Sequence, residues 1–450
     1  MSMIDEAVQQ ADQTAAVLAQ PGALSKLGDL FASCFPAASA RLVADQRTWQ
    51  VAGAAAQDSL TAAGVPQAEP FVLPGEPELY ARYENVELVR QALAGGDAVA
   101  VAIGSGTLND LVKRASDELG RRYAVVATAA SMDGYTAFGA SISRDGYKQT
   151  LDCPAPLLAV ADYDIMAQAP SVMNASGYGD LLGKVVAGAD WILADALGVE
   201  PIDATVWSLV QASLRSALSD PAGVKAGQAA AVAELSEGLV MSGLAMQAYH
   251  GSRPASGSEH LFAHLWEMEG LGVDLKPRRL SHGFKVGLGS IAMAALYELV
   301  LELDWSQIDP AAAARRWPSW SQRAALIETK FASSDLTVAA LAQSQAKYVD
   351  AGAVEARLAD LIAQWPALRQ RLADQLLPAA ELQTRLRTVG APASPGDIGL
   401  TWAALRDTYS RAQLIRSRYT VLDLLAEAAE LEPLADRLFE ADGFWGRQRG

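Results

Sequence analysis

His260, His264 and His282 are three of only four histidines in a chain of 450 residues, and the first two sit together in SEHLFAHLWE. A separation of four places both imidazoles on one face of a helix. With Asp180, in ASGYGDLLGK, these side chains offer nitrogen and oxygen ligands suited to zinc, nickel or iron. A catalytic metal needs about three protein ligands and an open position. Two sets satisfy that from spacing alone: His260, His264 and His282, or Asp180 with two of the three histidines. The competing reading is that the histidines serve the surface or packing. HLFAH lacks the glutamate of HExxH, which argues against a metalloprotease. The fourth histidine, His250 in QAYHGSRP, reads as a helix-end residue favoured by the dipole.

A second group of residues could hold a nucleotide. In AVAVAIGSGTLNDLVKRAS a hydrophobic strand runs into Gly104, Ser105 and Gly106, and Thr107 is placed to cap the helix that follows. Such a turn either cradles a phosphate with backbone amides or is simply tight, since Asn109 stands where a third glycine of GxGxxG would be. The next strand leads into ATAASMDGYTAFGASI, a small-residue loop containing Asp133. Two adjacent strands ending in such loops favour a ligand crevice, although Asp133 also suits a surface turn. Asp45, closing ARLVAD, is the right type to accept ribose hydroxyls and is equally an ordinary strand-end aspartate.

The elements that must position these groups divide into two kinds. ARLVAD (Ala40 to Asp45), FVLP (Phe71 to Pro74), AVAVAIG (Ala98 to Gly104), YAVVATA (Tyr123 to Ala129) and PLLAVADYDIM (Pro156 to Met166) read as strands. Helical spacing fills the segments between them, including Glu76 to Ala94 and Leu108 to Leu119. This alternation predicts a Rossmann-like parallel sheet covered by helices. Beyond Ala167 strand signals vanish. SVMNASGYGDLLGKVVAGADWILADALG reads as a helix, and Val354, Leu358, Leu361 and Trp365 form one helical stripe that Pro366 should end or restart. The expected organisation is an α/β domain over 1–166 and an all-α domain over 167–450.

Composition narrows the class. Lys and Arg number 36 against 52 Asp and Glu, and the net charge of −16 argues against nucleic-acid binding. Only Cys34 and Cys153 are present, the amino terminus is polar, and VGLGSIAMAALY (Val286 to Tyr297) looks too short to span a bilayer. These features predict a cytoplasmic protein without a membrane span. The apolar helical half offers surface for a homodimer.

GSGTLND, SMDGYT, GYGDLLGK, GSRPASGSEH and SHGFKVGLG occur in the order and approximate spacing of a known family. Over roughly Ala40 to Gly289 the chain resembles the sn-glycerol-1-phosphate dehydrogenases, members of the iron-containing alcohol dehydrogenase and dehydroquinate synthase-like superfamily. RSRYTVLDLL near the carboxy terminus is similar to the bacterial branch. The resemblance implies that superfamily's two-domain fold, with Asp180, His260 and His282 as ligands of one divalent ion, zinc or nickel. It assigns Asp133 and His264 to substrate and catalysis. NAD or NADP would meet Asp45, Gly104, Ser105, Gly106, Thr107, Leu108, Thr128, Ala129, Ala130, Ser131 and Ala137. The family commonly has Ser-Pro after SMDGYT, where this chain has Ala137-Phe138, a change that bears on coenzyme choice.

The implied reaction is reduction of dihydroxyacetone phosphate to sn-glycerol 1-phosphate, a small phosphorylated triose and polyol. Asp180 would also border the substrate, and Arg253 in GSRPASG is a candidate for its phosphate or for a structural salt bridge. A dehydrogenase of unphosphorylated polyols is the nearest alternative. A dehydroquinate synthase-like lyase fits less well, because that family has glutamate where Asp180 stands. A nucleotide-binding member without catalysis is disfavoured by the presence of all four metal and substrate candidates.

Overall fold

The computed structural model describes residues 3–144, 147–273, 279–332 and 334–449. Eight strands are present among them: β1 (Ala16–Gln20), β2 (Ala40–Asp45), β3 (Phe71–Leu73), β4 (Val99–Gly104), β5 (Ala124–Ala127), β6 (Ala140–Arg144), β7 (Tyr147–Leu151) and β8 (Leu158–Asp162). Six of them form a sheet in the order β1-β8-β5-β4-β2-β3, and every pairing in it is parallel. Strands buried on both faces read as continuous apolar runs, and β4, β5 and β8 do so. Val101, Ile103, Val126 and Val160 join Leu24, Leu27, Phe31 and Leu60 in the core on one face of this sheet. β6 and β7 form a separate antiparallel hairpin.

The chain order reverses between β2 and β4, neighbours whose connections leave in opposite directions along the sheet. At such a switch point the carboxyl ends of the strands open a crevice. Asp45 and Gly104 terminate these two strands.

Five helices carry the site: α1 (Gly106–Glu118), α2 (Ser171–Ala196), α3 (Ala229–Tyr249), α4 (Ser258–Met268) and α5 (His282–Glu302). The chain separates into two compact units, residues 1–181 with 205–254 and 388–390, and residues 182–204 with 255–387 and 391–450. The first therefore holds the sheet and also α3, whereas the sequence reading drew its division at 166. The reason is packing: Val240, Met241 and Leu244 of α3 share a core with Ile4, Ala7 and Val17.

Within the second unit α4 packs along α5. The buried Asp190 of α2 ties three elements, accepting from Ser258 N at 2.6 Å, Tyr297 Oη at 2.7 Å and Val421 N at 2.9 Å. α5 is 21 residues long, so the apolar stretch within it is longer than its core motif suggested. Both α3 and α5 have the length and hydropathy of a membrane span, but 61% and 83% of their apolar windows are buried within the protein. Core helices have that property.

Pro366 does not end its helix, which runs from Ala351 to Gln375. Proline removes one backbone donor, at a cost of roughly 3 kcal/mol in a helix interior. Six buried anchors on the same stripe, Val354, Leu358, Leu361, Trp365, Leu368 and Leu372, continue through it and outweigh the loss.

Candidate metal and nucleotide site

α1 begins at Gly106, with Ser105 as the N-cap residue in extended conformation and no side chain capping the first turn. Thr107 therefore lies inside the helix and is not its cap. The amide groups of the first turn lack intrahelical acceptors, which leaves a donor-rich, positively polarised terminus beside the switch point. Packing already crowds both glycines: a Cβ on Gly104 would meet Leu108 Cδ1 at 2.4 Å and Cβ at 2.9 Å, and one on Gly106 would press the flexible end of Met132, whose Cε lies at 2.8 Å. They bring β4, α1 and the SMDGYT loop together. Asp45 caps the short helix Gln46–Thr48, accepting from Thr48 N at 2.8 Å.

The loop after β5 is held largely through its backbone. Thr128 N donates to Gly104 O at 3.2 Å, Tyr135 Oη to Ala129 O at 2.7 Å, and Ala130 N to Asn174 Oδ1 at 3.1 Å. Ser176 Oγ donates to Ser131 O at 3.2 Å. Asn109, standing at the third glycine position, donates to Gly134 O at 3.3 Å and accepts from Tyr123 Oη at 2.9 Å. Lys113 was not singled out by sequence. It is 1% exposed, and its ammonium donates to Gly134 O, Ala137 O and Gly139 O at 3.2, 2.7 and 3.0 Å. Burial pulls its pKa below the usual lysine value.

This clamp presents Asp133. Its carboxylate accepts from Ser242 Oγ of α3 at 3.0 Å, while its amide donates to Asp180 Oδ2 at 3.1 Å. Asp180, on α2, is fully buried. Arg253 lies in the turn following α3 and is 1% exposed. His250 closes α3 in the left-handed region at φ 53°, the helix-end position expected for it.

α4 and α5 supply the imidazoles. His260 Nδ1 lies 2.6 Å from Glu259 Oε1, and His282 Nδ1 lies 3.0 Å from Glu267 Oε1. A carboxylate at Nδ1 fixes the tautomer that leaves Nε2 as a lone-pair donor, the arrangement typical of metal-bound histidines. Gly183 of α2 lets this cluster form, since a Cβ there would come within 2.7 Å of Val286 Cγ1 and 3.5 Å of His260 Cε1. Within the second unit the rings of His260 and His282 lie 5.3 Å apart. Two oriented imidazoles at that spacing fit a divalent cation with room for further ligands.

His264 is arranged differently. Its ring stacks on His282 at 5.8 Å and meets His260 edge-on at 5.8 Å, but its Nδ1 has no hydrogen-bond partner among the described residues. Burial, helped by the charge of Arg416, holds its pKa well below the usual histidine value. It is a neutral imidazole one turn from His260. Sequence spacing gave no hint of Glu259 and Glu267, which distinguish the two supported histidines from the unsupported one.

Residues 18–170 match the family model described as iron-containing alcohol dehydrogenase. A curated relative from Halalkalibacterium halodurans, named glycerol-1-phosphate dehydrogenase [NAD(P)+], is 35% identical over 260 residues, 57% of this chain and 64% of the relative. These matches liken part of the chain to the iron-containing alcohol dehydrogenases. Its match spans just under two thirds of that relative's length. Among solved structures, glycerol dehydrogenase from Schizosaccharomyces pombe superposes with a TM-score of 0.59 at 16% identity, covering 95% of this chain and 91% of that one. Sulfoacetaldehyde reductase from Bifidobacterium kashiwanohense, solved in complex with NAD+, gives 0.57 at 14% identity, covering 94% and 97%. At such identities the likeness is one of fold.

Proposed function

We propose that this protein is a member of the iron-containing alcohol dehydrogenase superfamily and a metal-dependent NAD(P)H oxidoreductase interconverting dihydroxyacetone phosphate and sn-glycerol 1-phosphate. The observation that carries the reading is the pair of imidazoles, His260 and His282, oriented by Glu259 and Glu267. The names of the curated relatives support the substrate and coenzyme.

A divalent ion, zinc or nickel, held by Asp180, His260 and His282 would polarise a substrate carbonyl. A reduced nicotinamide would supply hydride, its pyrophosphate meeting the first turn of α1 at Gly104 to Leu108. Asp45, Thr128 to Ser131 and Ala137 would border the rest of the dinucleotide. Ala137 contributes no hydroxyl there, and its carbonyl accepts from Lys113. Asp133 is rigidly presented by Ser242 and orients a substrate hydroxyl. His264, neutral and uncommitted at Nδ1, can donate or accept a proton at a substrate oxygen without first leaving another partner. Arg253 serves the substrate phosphate through its guanidinium fork.

The test is NADH and NADPH oxidation with dihydroxyacetone phosphate after metal stripping and re-addition, with chiral analysis of the product. Zinc or nickel should restore turnover, and the product should be the 1-phosphate enantiomer. Failure of every divalent metal to restore activity, or equal turnover of glycerol and glycerol 1-phosphate in the reverse direction, would overturn the reading.

A further inference from the structure

The segment Gln413 to Arg418 is fastened to its surroundings from several sides. The turn Ala412–Ile415 is buried and packs on α4, the helix bearing His260, His264 and Glu267. Lys347 Nζ donates to Gln413 O at 2.6 Å and to Arg418 O at 3.3 Å, and Ser344 Oγ donates to Leu414 O at 3.1 Å. Ser417 N donates to Gln343 Oε1 at 2.8 Å. Arg418 Nη1 donates to Ser256 O at 2.7 Å, just ahead of α4. Lys347 is itself paired with the buried Asp423 at 2.6 Å.

Three arginines flank or occupy this segment, and two are committed. Arg411 pairs with Glu269 at 2.6 Å and Asp407 at 3.1 Å, and Arg418 is bound to Ser256. Arg416 is half-buried yet makes no hydrogen bond or ion pair among the described residues. The acidic group that acts on it is Glu267, which already lies against His282. A guanidinium stripped of part of its water, on a backbone that cannot move to find an acceptor, is costly unless a ligand completes it. The turn that leads into Arg416 packs on α4, the helix that carries His264, and the charge of Arg416 helps to lower that imidazole's pKa.

We infer that Arg416 anchors a phosphate monoester, the charged end of a substrate whose reacting oxygen lies at His264. Two parallel N–H···O bonds to a phosphoryl group are the chemistry a free guanidinium fork supplies. The inference rests on the dehydrogenase reading for the identity of the ester, and it names a specificity residue that the Arg253 proposal does not include. An enzyme for unphosphorylated polyols would have no use for this cation.

The test uses the full chain loaded with metal and compares wild type with Arg416→Ala and Arg416→Lys. Binding of glycerol 1-phosphate and of inorganic phosphate is measured by calorimetry, with glycerol as control, alongside KM values for dihydroxyacetone phosphate and NADH. Arg416→Ala should weaken binding of both phosphates and raise KM for dihydroxyacetone phosphate by about 10- to 100-fold, the scale of a charged hydrogen-bond pair. KM for NADH and bound metal should stay within about two-fold, and Arg416→Lys should recover part of the loss. Unchanged phosphate binding, loss confined to the coenzyme KM, or no phosphate binding by wild type overturns the inference. Phosphate binding that depends on Arg416 in an enzyme without triose phosphate turnover would sink the dehydrogenase reading and leave this site standing.

Discussion

The loop after β5 and the imidazole cluster on α4 and α5 are built by opposite means. The loop is positioned through its main chain: Lys113 alone holds three of its carbonyls, Asn109 shares one of them, Ser176 holds another, and Asn174 accepts from the Ala130 amide. The imidazoles are positioned side chain to side chain, each supported histidine by its own glutamate. A surface made of backbone and small residues suits a long, flat coenzyme and spreads its dependence over many contacts. A cluster made of paired ionisable groups concentrates dependence on single atoms. Substitutions in the second region should therefore act on chemistry, and those in the first on geometry.

The largest of the effects that sharpen this contrast is expected at Glu267. Glu267→Gln removes the carboxylate that orients His282 and should weaken metal affinity about 10- to 100-fold, with turnover recovering at saturating metal. Metal-binding titrations check it, and Glu259→Gln should behave alike through His260. Lys113→Met comes next. It takes the Lys113 donor from the carbonyls of Ala137 and Gly139, leaves Gly134 with Asn109 alone, and should cost about 2–3 kcal/mol of stability, read by denaturant unfolding. KM for the coenzyme should rise while metal affinity is unchanged; a fall in metal affinity would break the contrast.

The smallest expected effect on activity is at Glu427, outside both regions. It is 4% exposed, and burial, opposed mainly by Arg357, pushes its pKa from the ordinary 4.5 to about 7. A carboxylate raised in the folded state favours the protonated form. Its contribution to stability is thus complete below pH 4.5 and is lost as pH rises towards 7. Glu427→Gln should flatten that part of the stability profile, measured by thermal unfolding against pH, without altering turnover near neutrality. An unchanged slope would contradict the assignment.

Much of the fold was legible because two-sided burial writes itself as apolar runs, as in β4 and β5. β1 was not legible: AVLAQ is a short, half-buried edge strand without a distinctive pattern. The hairpin of β6 and β7 had a signal in its Asp-Gly dipeptide at 145–146, positions outside the described residues. Thr107 looked like a cap because threonine favours that role, but the turn closes two residues earlier. In the candidate site, residue types singled out Asp180 and the histidines. Their supporting partners stayed hidden. Glu259 is adjacent in sequence to His260, a spacing that does not predict contact on a helix, and Glu267 reaches a histidine fifteen residues away. Lys113 resembles any solvent-facing lysine of an amphipathic helix until the loop folds over it.

The central claim is the unequal division of labour between two histidines one turn apart. Metal content of purified His260→Ala and His264→Ala, measured after identical loading with zinc or nickel, tests it most directly. The account predicts that His260→Ala loses its bound ion, whereas His264→Ala keeps it and loses about 10²- to 10⁴-fold in turnover. Equal metal loss in both variants would instead make His264 a ligand and contradict the account.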